Sequence, residues 1–225
     1  MSIPHIDPPP LPETMTWEEL MELPEEISCC IELHDGQPVW IADAAMLKHG
    51  PSEHQRFTLR MTNALLSAAK LTTADATGGC WDATLETNLF FTRDRSSFVT
   101  PDFMIYHCLD DEFAWVHAED TILVGEVLSP SNTPGLMEVK KARYAAAHIP
   151  WYWEVELAPN PRRISAVRQY ALAAVDFHLP KGVTPLRPPK EGEYILTGEW
   201  TPEAAEGVGT LHPFPIHIPW SDLAY

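Results

Sequence analysis

One carboxylate stands inside an otherwise apolar run: Glu126 interrupts Ile122-Leu123-Val124-Gly125 and Val127-Leu128, and the run closes on Ser129-Pro130-Ser131. The surroundings read as a buried strand, and a charge in such a strand costs several kcal/mol unless a partner or a cation compensates it. Any fold open to this chain must therefore bring Glu126 a counter-charge. Upstream, Phe98 to Tyr106 is a second apolar run with one carboxylate, Asp102, directly after Pro101. Downstream, past a break at Thr133-Pro134-Gly135, a short helix carries Lys140 four residues before Tyr144, a spacing that puts both on one face. Two strand carboxylates and one lysine, each isolated among apolar residues, are the parts of a divalent-metal phosphodiesterase site.

The length of 225 residues fits one domain, expected over 13–225, behind a flexible proline-rich arm at 1–12. Its core is expected at about 16–172, with a segment at about 180–225 wrapping it. No run approaches the roughly 20 apolar residues of a membrane span. The N-terminus has neither a basic region nor an apolar core, so the expected location is cytoplasmic. The four cysteines, Cys29, Cys30, Cys80 and Cys108, form no C-x-x-C pair and read as small buried hydrophobes. A net charge of −17 repels nucleic-acid phosphates at long range, so a nucleic-acid site here has to be locally basic. Arg56, Arg60, Arg93, Arg95, Arg143, Arg162, Arg163 and Arg168 are the candidates for such a patch.

Thr16, with Glu19 three residues on, forms a capping box that opens a helix through Leu23. Asp35-Gly36 between β-prone runs marks a hairpin. From Ser52 to Lys70, apolar residues at three- and four-residue steps (Phe57, Met61, Leu65, Ala68) predict the longest helix, with His54 on the same face. Gly78-Gly79 breaks the chain before Cys80 to Phe91, which alternates as one half-buried strand. The Asp102 strand, an acidic loop at 110–120 and the Glu126 strand follow. Thr133 and Pro134 start a helix to about His148. Trp151 to Leu157 and Ile164 to Leu172 are β-prone, Val175 to Leu179 extends them, and the tail offers strands at 193–197 and 214–218.

Phosphodiester hydrolysis needs a metal to polarise the phosphoryl oxygen and acidify water, plus a group that positions that water. Asp102, Glu126 and the backbone carbonyl of Val127 supply hard oxygens suited to Mg²⁺ or Mn²⁺. Lys140 orients the water or offsets developing charge. Together Thr100-Pro101-Asp102, Glu126-Val127-Leu128-Ser129-Pro130-Ser131, Lys140 with Tyr144, and Ile149-Pro150-Trp151-Tyr152-Trp153 resemble the Uma-type restriction endonuclease family, a bacterial branch of the PD-(D/E)xK nuclease superfamily. The Glu32 to Gly36 segment and Ser52 to Leu66 with His54 resemble its N-terminal pattern. The resemblance implies an α/β restriction-endonuclease-like fold, a mixed central sheet flanked by helices, and an endonuclease hydrolysing DNA with Mg²⁺ or Mn²⁺ as a homodimer. Most of the superfamily carries its lysine two residues after the second carboxylate, where this chain has Leu128; Lys140 is the position that matches this branch.

Blander readings stand beside these. Asp102 also reads as a turn residue, Glu126 as half of a structural ion pair with Lys140 or Arg143, and one of Lys140 and Lys141 as a solvated helix residue. Glu32 reads equally as a site residue or a rim charge, and His54 as a core histidine. The Trp151–Trp153 aromatics read as sheet core before they read as a base-stacking platform. As a whole the chain competes with a catalytically silent nuclease-like scaffold that binds a protein or nucleic-acid partner. No G-x-S-x-G surrounds Ser129 or Ser131, which argues against a serine hydrolase, and no sugar cleft is legible for a carboxylate-pair glycosidase.

Overall fold

The structure, a computed structural model, describes residues 10–41, 52–73, 79–111, 113–128, 134–159, 162–173 and 190–224. Most of the proline-rich arm, Gly78, the Ser129-Pro130-Ser131 turn, the Thr133 cap and the 175–179 extension lie outside the described residues.

Thr16 caps the first helix, Trp17–Met21 (α1), through the reciprocal pair of bonds that the capping box requires. A second short helix, Glu25–Ser28 (α2), follows Pro24. Asp35 and Gly36, with φ of 54° and 81°, then fold Ile31–His34 (β1) onto Gln37–Trp40 (β2). The long helix, Ser52–Thr73 (α3), buries Phe57, Met61, Leu65 and Ala68 along one face.

Two expected strands are each divided. Cys80 to Phe91 contains Trp81–Leu85 (β3) and Leu89–Phe90 (β4), interrupted where Glu86 takes a φ of 47°. The Asp102 run contains Phe98–Val99 (β5) and Phe103–His107 (β6), with Asp102 in the link between them. In both cases the two pieces enter different sheets, a change that alternation along the chain does not encode. Every residue of β3 is partly exposed, because β3 is an edge strand.

Val116–His117 (β7) lies within the expected acidic loop, and Thr121–Leu128 (β8), the helix Pro134–Ala146 (α4), Trp151–Pro159 (β9) and Arg162–Leu172 (β10) follow. The tail adds Tyr194–Trp200 (β11), the hairpin Gly207–Thr210 (β12) with Ile216–Pro219 (β13), and Trp220–Leu223 (α5). β12 has no counterpart in the sequence reading.

The main sheet has six strands in the order β11-β10-β9-β8-β6-β3, and a second has five short strands in the order β2-β1-β5-β4-β7. In the main sheet only β8 and β9 run parallel, with α4 as the crossover between them. Side chains alternate across the sheet. Phe103, Ile105, Leu123, Val127, Trp153 and Val155 pack with α3 and the β12–β13 hairpin, whereas Met104, Val124 and Tyr152 pack with Tyr144 and Ile149 behind it. By that parity Glu126 and Glu154 both lie on the α4 side. Tyr152 and Trp153 are fully buried, so the aromatic run is sheet core.

The cysteine expectation needs correction. Cys80 and Cys108 are joined by a disulfide and Cys29 is exposed, which leaves Cys30 as the buried free thiol. The antiparallel register that pairs Trp81 with His107 sets Cys80 against Cys108, a tertiary event their sequence separation of 28 does not announce. Among the described residues no helix is long and apolar enough to cross a membrane.

Candidate functional site

Glu126 is 2% exposed, and its counter-charge comes from α4. Lys140 Nζ donates to both of its carboxylate oxygens, at 3.0 and 3.1 Å, and Tyr144 OH donates to Oε1 at 2.6 Å. The spacing of four residues places both donors on the helix face that looks down on β8. Burial pushes the Glu126 carboxyl up to about 7; the neighbouring Asp102 charge acts in the same direction, and Lys140 and Tyr144 act against it. Burial pulls the Lys140 ammonium down, but the charges of Glu126, Glu32 and Asp102 outweigh it and raise its proton affinity.

Asp102 is held from the opposite side. Its Oδ2 accepts the Val127 N–H at 2.6 Å and lies 3.3 Å from His54 Nε2. The same imidazole nitrogen donates to the Val127 carbonyl at 3.0 Å. His54 thus reaches from α3 into the junction where the Asp102 link crosses the end of β8. Burial lowers its proton affinity, yet its bond to Asp102 carries it above the ordinary histidine value.

Glu32 closes the group from β1. Its carboxylate accepts the Thr100 N–H at 3.0 Å and meets His34 Nε2 at 3.2 Å. Burial pushes this carboxyl up, but His34, Lys140 and the Thr100 N–H together leave it below its usual value. Lys140 also points at the Thr100 carbonyl, 3.5 Å away. Arg143, one of the two cations considered for Glu126, instead donates to the Leu33 carbonyl and Ser97 Oγ at 3.4 and 3.1 Å. Glu32, His54, Asp102, Glu126, Lys140 and Arg143 all line one cleft of about 450 Å³, whose rim includes Val39, Leu136 and Val139. The buried Tyr144 supports Glu126 from below.

The sequence reading missed two residues here. Glu86 lines the same cleft, and its charge supports the proton on His54. Glu154 is buried on β9 and binds Lys141 Nζ at 2.8 Å, so Lys141 is not the solvated residue expected of one of the two lysines. The signal for Glu154 was weaker than the one that marked Glu126: a carboxylate between Trp153 and Val155, in a strand that also carries Glu156. Four of the arginines named for a basic patch are committed to ion pairs, Arg93 with Glu119, Arg95 with Glu18, Arg163 with Glu203, and Arg168 with Glu156 and Glu199.

Among the described residues no cluster of three or more His, Cys, Asp or Glu side chains stands ready to enclose a metal. The donor set nonetheless suits a hard divalent cation, which takes one or two protein carboxylates and fills its other positions with water. Asp102 Oδ2 and the Val127 carbonyl oxygen converge on a single nitrogen, His54 Nε2, at 3.3 and 3.0 Å. Both oxygens lie beside His54 Nε2, and Glu126 adds a third oxygen source in the same cleft.

Comparison with known proteins bears on the family and the fold. The model of the Uma2 family, described as "Putative restriction endonuclease", matches residues 17–193. No curated protein matches the chain. Among solved structures, a putative nuclease belonging to DUF820 from Anabaena variabilis ATCC 29413 superposes with a TM-score of 0.56 at 15% identity, over 93% of this chain and 97% of that one. The likeness establishes the expected fold class: a restriction-endonuclease-like mixed sheet flanked by helices.

Proposed function

From the premise that this chain belongs to the Uma2 family, we propose that it is an endonuclease that hydrolyses DNA phosphodiester bonds with Mg²⁺ or Mn²⁺. The observation that carries the proposal is the meeting of Asp102, Glu126 and Lys140 in one cleft, although each comes from a different element. Asp102, Glu126 and the Val127 carbonyl would hold the cation, which when bound polarises the phosphoryl oxygen and acidifies water. Lys140 presents an ammonium beside the reacting phosphate, where it orients the attacking water and offsets negative charge as it develops. Tyr144 fixes the Glu126 carboxylate so that Lys140 meets it with both oxygens. Glu32 and the Thr100 carbonyl hold the ammonium in the cleft, and His54 holds the Val127 carbonyl in place. A homodimer, offering one such cleft to each strand of a duplex, completes the reading.

Incubation with Mn²⁺ and mixed single- and double-stranded DNA tests it. Cleavage is expected from the native chain and a loss of about 10³-fold from Asp102→Ala or Glu126→Ala, the scale of removing a group that acts at the reacting atoms. Intact DNA across many sequences, with folded protein and Mn²⁺ present, sinks the catalytic reading. A second reading, a silent nuclease-like scaffold that binds a partner, draws on the ion-paired arginines and the net charge of −17. Stabilisation by Mg²⁺ that disappears in Glu126→Gln counts against the scaffold.

A further inference from the structure

We infer that Lys141 and Glu154 form a positioning pair whose work is to keep Lys141 off Glu126, so that Lys140 alone serves that carboxylate. Its consequence for cleavage rests on the nuclease reading above.

Glu126 and Glu154 are register partners on the parallel strands β8 and β9. Register partners project from the same face of a sheet, on strands about 4.8 Å apart. Over that face α4 presents two consecutive lysines. Lys140 takes Glu126, with Nζ at 3.0 and 3.1 Å from its two oxygens, and Lys141 takes Glu154, with Nζ at 2.8 Å from Oε1. Lysine carries its charge on a flexible four-carbon stem. A shift of about one strand spacing is all that separates Lys141 from the wrong glutamate.

Several contacts hold it back. Tyr170 OH donates to Glu154 Oε2 at 2.9 Å and Tyr152 OH to Oε1 at 3.3 Å, which fixes the buried carboxylate. The Lys141 ammonium also sits 4.2 Å from the Tyr170 ring centroid and 5.4 Å from that of Tyr152, within reach of a cation–π attraction. Tyr152 stacks on Tyr144, the residue that orients Glu126, with centroids 5.8 Å apart. Glu126 already accepts from Lys140 on both oxygens and from Tyr144 on one. A second ammonium at the same carboxylate repels that of Lys140 and competes with it for the two oxygens. Lys141 and Glu154 do not line the cleft, so their effect reaches the site only through Lys140 and Glu126.

Two variants and two readouts test the pair. Glu154→Gln keeps the shape of the side chain and takes the buried carboxylate from Lys141, which keeps the exposed Glu138 at 3.4 Å; Glu154→Gln combined with Lys141→Met also removes the competitor. The readouts are the nitrogen-15 resonance of the Lys140 ammonium, which needs no activity, and Mn²⁺-dependent DNA cleavage. In Glu154→Gln the Lys140 resonance is expected to move and kcat to fall at least about tenfold with KM unchanged, the pattern of an interaction made only in the transition state. In the double variant both return towards native values. A purely structural pair gives no such recovery, so a double variant as impaired as the single overturns the inference. A Lys140 resonance that stays at its native position in Glu154→Gln overturns it as well. Should the native chain cut no DNA, the nuclease reading fails by itself, and the resonance still decides the pair.

Discussion

Two clusters of the same residue types lie side by side on the α4 face of the main sheet, and they differ in what they face. Glu126 with Lys140 and Tyr144 opens into the cleft; Glu154 with Lys141, Tyr152 and Tyr170 does not line it. Beside the open glutamate stands a second carboxylate, Asp102, and that charge helps burial raise the Glu126 carboxyl to about 7. A glutamate, a lysine and a tyrosine are therefore not in themselves a site. Away from the cleft they brace a helix on a sheet, and set in it beside another carboxylate they acquire chemistry.

The sharpest way to break that contrast is to remove each lysine in turn. Lys141→Ala leaves the Glu154 carboxylate buried with only two phenol donors, and losing one partner of a buried pair costs about 3–5 kcal/mol. Lys140→Ala leaves Glu126 with the Tyr144 donor and with burial and the Asp102 charge both raising its carboxyl, so it takes up a proton and the expected loss is smaller, about 1–3 kcal/mol. Cleavage should respond in the opposite order, with Lys140→Ala the more damaging. Urea unfolding and a nuclease assay on the two variants give the comparison, and equal losses of stability would remove the distinction between the two clusters.

Alkaline titration probes both clusters together. Burial, followed by the charge of Glu126, holds the Tyr144 and Tyr152 phenols well above their ordinary pKa. Unfolded, both ionise near pH 10. Folded, they keep their protons there, so the native state binds more protons than the unfolded one and stability falls as pH rises past about 10. The slope is about 1.4 kcal/mol per pH unit for each phenol. Phenolate absorbance from these two residues should appear only as the chain unfolds, and ionisation in the intact fold would show that burial is not what holds them.

How much of this was legible in the sequence follows from what each signal depends on. Asp102 and Glu126 were visible because an isolated charge among apolar residues is a local anomaly, and Lys140 by its four-residue spacing to Tyr144, whereas Glu154 was masked by the aromatics before it and by Glu156 two residues on. The choice between Lys140 and Lys141 was framed as site against solvent, whereas the structure gives each lysine its own glutamate; only the parallel pairing of β8 and β9 reveals that. The divisions at Glu86 and Asp102 were illegible because membership of a sheet is decided by partners far along the chain. They matter to the site: the link that leaves the five-stranded sheet is what swings Asp102 towards Val127.

Gly125 shows how closely that link is set. It pairs in register with Phe103, and a Cβ built on it would fall inside the Phe103 ring. Phe103 follows Asp102 and Gly125 precedes Glu126, so the absence of a side chain at one position lets both carboxylates come to the same end of the sheet. Gly125→Ala must push the ring and the backbone behind it, an overpacking cost of about 1–3 kcal/mol. The cluster in the cleft should suffer more than its neighbour: metal affinity and cleavage fall while the Lys141 ammonium resonance stays in place. If that resonance moves as far as that of Lys140, the two clusters are not separable through this link.

The smallest effect belongs to the ion pairs outside both clusters. Arg163 and Glu203 are 62% and 68% exposed and 3.5 Å apart, a geometry in which water and salt screen most of the attraction. Arg163→Ala should change stability by less than about 0.5 kcal/mol, against the several kcal/mol of Lys141→Ala, although both remove a single cation. Burial, and not the count of charge pairs, then sets the scale. The same variant frees Glu203 on an acidic surface, so any change in DNA binding should be a uniform, salt-sensitive weakening across sequences. Measuring unfolding and DNA affinity at two salt concentrations separates these effects, and an Arg163→Ala loss comparable to that of Lys141→Ala would show that exposure does not divide the pairs of this chain into strong and weak.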